Sequence, residues 1–100
     1  MSNKTNTLPL RHNNRLIIVK LDFLLVREIE DEFGGLPALQ EKFANNNWQV
    51  SDLVTLVQML LQAAGSTVDY VLLGNTMLRE GLPHYLATVQ AFLDMVLNAE

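Results

Sequence analysis

No cysteine occurs in the 100 residues, which removes a disulfide framework, thiolate metal ligands and cysteine nucleophiles at once. Glycine is scarce, and Gly34, Gly35, Gly65, Gly74 and Gly81 fit neither a phosphate-cradling loop nor the dinucleotide fingerprint. No nucleotide chemistry and no cofactor are expected. Charged residues make up only 18%, seven Lys and Arg against eleven Asp and Glu, for a net charge of −4. Lys4, Arg11, Arg15, Lys20, Arg27, Lys42 and Arg79 are scattered along this acidic chain. Such a distribution gives no phosphate-binding stripe, so no nucleic-acid partner is expected. No apolar run approaches the roughly 18 residues of a membrane span, and the opening MSNKTNTLPLRHNNR lacks a continuous apolar stretch. The expectation is a cytoplasmic chain with no membrane partner.

What is present is hydrophobic mass, 49% of the residues, enough for the core of one domain. We therefore expect a single α-rich domain over 1–100, with residues 1–7 loose. Leu8 to Leu10 and Leu16 to Leu21 are short apolar runs on either side of Arg11-His12-Asn13-Asn14-Arg15. The asparagine pair suits a tight turn, so these runs predict a β-hairpin. Asp22 can cap a following helix in which Leu25, Val26, Ile29 and Phe33 share a face, stopped by Gly34-Gly35. A short helix from Leu36 to Ala44 carries Pro37 in its first turn and ends at Asn45-Asn46-Asn47. Ser51 sits ahead of a stripe at Leu53, Leu56, Val57, Leu60, Leu61 and Ala64, and so reads as a helix cap. After Gly65, Ser66 or Thr67 can cap a fourth helix striped by Val68, Val71, Leu72 and Leu78. Pro83 opens a last helix, with Tyr85, Leu86, Val89, Phe92, Leu93, Val96 and Leu97 on one side. The fold class is thus mostly α: a short N-terminal β-hairpin followed by four or five packed amphipathic helices.

Catalytic groupings are missing from this pattern. His12 in the turn and His84 at a helix start have no zinc-site or general-base partner near them in sequence, and both read as exposed structural histidines. The row Glu28, Glu30, Asp31, Glu32 fans around a helix rather than converging on one ion, because adjacent residues diverge by about 100°. It reads as a solvated face, with electrostatic docking of a basic segment as the alternative. Neither an enzyme nor a metal protein is expected.

The interaction signal lies in apolar residues off the main stripes. Met59, Met77 and Met95 all fall away from the principal faces of their helices, and Tyr70, Leu73 and Met77 form a second apolar line on the fourth helix. Such residues are either buried between neighbours or meet a partner, and methionine suits an adaptable binding surface. Trp48, in a loop, is either a core plug or an interface anchor. Trp48, Met59, Tyr70, Leu73 and Met77 are the candidate partner-binding residues.

The stretch LDFLLVREIEDEFGGL from Leu21 to Leu36, followed by Leu39-Gln40-Glu41-Lys42-Phe43, Val50-Ser51-Asp52-Leu53-Val54 and a helix ending Ala63-Ala64-Gly65, resembles the tail assembly chaperones of siphophage-like tails. The type is that of gene transfer agents, also described as tail tube proteins, and the likeness spans residues 16–99. The resemblance implies a hairpin-plus-helices fold and a non-enzymatic role. Several copies would bind the helical, apolar tape measure protein and keep it soluble until tail tube subunits polymerise around it. It leaves open a structural tail or tube component retained in the particle, and self-association into a homo-oligomer.

Overall fold

Two adjacent asparagines set the N-terminal element. Asn13 and Asn14 both have positive φ, 56° and 62°, as a two-residue type I′ turn requires and as asparagine tolerates. On either side β1 (Thr7–His12) and β2 (Arg15–Lys20) pair antiparallel, with Leu8 opposite Val19 and Leu10 opposite Ile17. Strand alternation then buries Leu8, Leu10 and Val19 on the inner face and leaves Pro9, Arg11, Leu16, Ile18 and Lys20 exposed on the outer one. Pro9 lacks a ladder donor, which a strand at a sheet edge accommodates. The structure is a computed structural model describing residues 7–97. The looseness expected of residues 1–7 therefore lies outside the described residues except at Thr7, which opens β1.

Five helices follow: α1 (Phe23–Phe33), α2 (Leu36–Ala44), α3 (Val50–Ala63), α4 (Tyr70–Glu80) and α5 (Leu82–Leu97). Asp22 caps α1 as expected, its Oδ1 accepting from the Leu25 N–H at 3.0 Å, and Gly34 ends that helix at φ 90°. The N-cap of α2 is Gly35, which has no side chain to offer. Glu30 reaches across instead, its Oε2 accepting from the Leu36 N–H at 2.9 Å, so one member of the acidic row is a cap rather than solvated charge. Glu28, Asp31 and Glu32 are exposed.

Two caps differ from the sequence expectation. Helix α3 starts at Val50, one residue before Ser51, and Asp52 Oδ2 accepts from the Gln49 N–H at 2.8 Å. Ser51 lies inside the first turn. Helix α4 starts after Asp69 rather than after Ser66 or Thr67, with Asp69 Oδ2 accepting from the Leu72 N–H at 3.0 Å. In both cases a carboxylate holds the helix start, where the macrodipole favours negative charge over a neutral hydroxyl.

Helix α3 is the axis of the core. It touches α1, α4, α5 and β2, and Leu53, Leu56, Val57, Leu60 and Leu61 are buried along it as the stripe predicts, with Val54 beside them. Helix α5 closes the core with Tyr85, Val89, Phe92 and Leu93 buried. The hairpin lies across both, β1 on α5 and β2 on α3. The buried side chains form one continuous cluster from Leu8 to Leu93.

Candidate partner-binding surface

Helix α4 exposes what the sequence expectation buried, and buries what it exposed. Leu73 and Met77 have no solvent exposure and sit in the core. Val71, Leu72 and Leu78, read as the inward stripe, are 65%, 63% and 59% exposed. The reason is Gly74. Tyr70, Leu73, Gly74 and Met77 are spaced i, i+3, i+4, i+7, the full periodicity of one helix face. The glycine adds no hydrophobicity to that face, yet it completes it against α3: a β-carbon there would lie at ordinary contact distance, 3.7 Å, from Val54 Cγ2. Because α4 touches only α3 and α5, its other apolar line has no cover within the domain.

Two of the five predicted residues, Leu73 and Met77, are thus core residues and face no partner. Tyr70 stays 40% exposed at the edge of the α3–α4 seam, its hydroxyl donating to the Ser51 carbonyl at 3.3 Å. Val50, at the adjacent start of α3, is exposed as well. Trp48 is half-buried, stacked on Phe43 with ring centroids 5.6 Å apart, and so acts in part as the core plug. Met59 is half-buried against the core, as is Met95. The structure brings Tyr70 together with Val71, Leu72, Leu78 and Val50 as the apolar surface of α4 and its seam. Of these only Tyr70 was singled out from sequence.

Both histidines are half-buried and bonded, contrary to their reading as exposed. The fully buried Tyr85 donates its hydroxyl proton to Glu80 Oε1 at 2.6 Å. That hydroxyl must then accept from His12 Nδ1, 3.1 Å away, which fixes the His12 tautomer. His84 Nε2 donates to the Arg11 carbonyl at 2.8 Å, and its ring meets Tyr85 edge-on at 4.6 Å. Burial, then the Glu80 carboxylate, pushes the Tyr85 phenol well above its ordinary range. Burial also lowers His12, partly offset by Glu80, and the Tyr85 hydrogen bond lowers Glu80. Together these groups fasten the hairpin to the α4–α5 junction. The pairs are 73 residues apart in sequence, so no local signal announces them.

A cleft of about 320 Å³ lies between β2, α1 and the end of α3, lined by Lys20, Asp22, Leu24, Leu25, Glu28 and Gln62 among others. A smaller one of about 140 Å³ lies between α2 and α5. Among the described residues no group of three or more His, Asp or Glu is placed to hold a metal ion, and no helix is long and apolar enough to cross a membrane.

A sequence model of the family described as "Phage tail tube protein, GTA-gp10" matches residues 7–99. No curated protein and no solved structure matches the chain. Since the family match runs from the first residue of the hairpin past the end of α5, the chain belongs to this phage tail family.

Proposed function

We propose that this phage tail-related protein is a non-enzymatic tail assembly chaperone, binding the tape measure protein and keeping it soluble in the host cytoplasm while the tail is built. The observation that carries the reading is the uncovered apolar side of α4, Val71 and Leu78 together with Leu72 about 100° round from Val71, with Tyr70 and Val50 exposed at the α3–α4 seam. A helix with an apolar second face suits a long amphipathic partner helix laid against it. Affinity would come from buried apolar area, at roughly 25 cal/mol per Å² before the costs of ordering and lost motion. Several copies along one elongated partner give avidity while each contact stays releasable.

A structural tail or tube component is the second reading, favoured by the family's own description. Against it, a tube built by strand pairing needs extended sheet, whereas the described residues offer one two-stranded hairpin. Co-expression with the tape measure protein, pull-down and measurement of that partner's solubility separate the two. The chaperone reading expects capture and rescued solubility. It also expects the triple variant Val71→Ser, Leu72→Ser, Leu78→Ser to lose capture while each single change alters stability by less than about 0.5 kcal/mol. Absence of capture, with the protein present in purified particles, would move the assignment to the structural component.

A further inference from the structure

Charge is segregated along this chain in a way its net value conceals. All eleven acidic residues lie at or beyond Asp22, while the hairpin carries Arg11, Arg15 and Lys20 and no acid. The hairpin is therefore a cationic module on an anionic body. Its outward face is chemically framed: Ile18 is exposed at its middle, Leu16 lies opposite Arg11 at the turn end, and Lys20 closes the far end. Nothing in the domain covers that face: the strands pack on α3 and α5, and the turn reaches α4 through the Asn13 N–H to Glu80 Oε1.

The outward side of α1 has the opposite character. Phe23, 77% exposed, and Leu24 stand at its start, and Glu28 and Asp31 follow Leu24 at i+4 and i+7 on the same face, with Glu32 alongside. Arg27 is a cation within this row, so the face is net acidic rather than uniformly so. Helix α1 touches only α2 and α3, which leaves this face unpartnered too. Within one molecule the two surfaces approach each other at the cleft that Lys20, Leu24 and Glu28 line together, while the strands of the hairpin do not otherwise pack on α1.

We infer that a second copy of this chain covers these surfaces, the outward face of the hairpin in one copy docking on the outward face of α1 in the other. Leu16 and Ile18 meet Phe23 and Leu24, and Arg11 and Lys20 meet Glu28 and Asp31. Complementary potentials bring the copies together and fix the register, while the apolar centres supply the burial. The contact uses neither the α4 line nor its neighbours, so it stands or falls independently of tape measure binding.

The test is sedimentation velocity of the purified protein over a concentration series at low and high salt. Self-association is expected, weakening as salt is raised because the flanking charges are exposed and screened. R11E/K20E and E28K/D31K should each weaken it at least about tenfold. Mixing the two variants should restore association as a heteromeric complex, since reversed charges again face each other. Circular dichroism melts coincident with the parent protein show that the exposed substitutions leave the fold intact. As a salt-independent check, I18S with L24S should also weaken association. A protein that stays monomeric throughout the series overturns the inference. So does association that survives both charge reversals, or a mixture of the two variants that fails to associate.

Discussion

Helices α3 and α4 are neighbours with opposite fates, α3 being the more hydrophobic of the two. The first is enclosed by α1, α4, α5 and β2, and buries six large side chains. The second meets only α3 and α5, and buries two. Position separates them as well as hydrophobicity: an apolar residue on α3 finds a neighbour in almost any direction, whereas on α4 only the face that includes Gly74 does. An uncovered apolar residue is therefore read more safely from the number of elements around its helix than from the strength of its stripe.

The largest effect that would break this comparison comes from truncation on the two inner faces. Leu60→Ala in α3 and Leu73→Ala in α4 should each cost about 2–5 kcal/mol in denaturant unfolding, since both leave a cavity in a core with no solvent access. If Leu73→Ala costs no more than Leu72→Ser, the face assignment of α4 fails. Smaller and opposite in sign is Gly74→Ala. Its added methyl would sit at ordinary contact distance from Val54, and helix propensity should then raise stability by about 0.5–1 kcal/mol in the same measurement. A loss of stability would mean that the α3–α4 seam is tighter than this spacing.

The smallest effect sharpens the comparison at the end of α4, where Glu80 supplies a second anchorage through Tyr85. His12 is lowered from 6.5 in the fold, so the unfolded chain takes up its proton first, and stability falls as pH drops below 6.5 toward the folded-state value. Glu80 is lowered from 4.5, so its contribution is present above 4.5 and is lost as pH falls through its folded-state value. Both act in the same direction. Thermal melts should show Tm declining with acidification across these two windows, and Glu80→Gln should flatten the lower one.

Much of the fold was legible because its signals are local. The Asn13-Asn14 turn, the Asp22 cap, the α3 stripe and the proline near the start of α5 each declare themselves within a few residues, and the structure follows them. The α4 faces were misread for a physical reason: a hydrophobicity count gives glycine no weight, so the face that Gly74 completes with Tyr70, Leu73 and Met77 looks weaker than its periodicity makes it. Side chains acting at a distance were also out of reach. Glu30 caps a helix six residues on, and His12 meets Tyr85 only after the whole bundle has formed. Of the candidate surface, Tyr70 was found and Val71, Leu72 and Leu78 were assigned to the wrong side. The two-faced character of α4 was correct, and only a neighbour could say which face was which.

The bolt between the hairpin and α5 has a consequence for the order in which the molecule is made. His12 and Arg11 are synthesised early, and their partners Tyr85 and His84 emerge 73 residues later. Domains begin to organise as the chain leaves the ribosome, first residues first. The hairpin can close its own turn at once and Val19 on β2 gains α3 midway through synthesis, but Leu8 and Leu10 on β1 have no α5 to lie against until translation is nearly over. The first element to form is among the last to be fastened, so during synthesis its apolar inner face and both strand edges are open together, and the nascent chain is most exposed to mispairing in that interval.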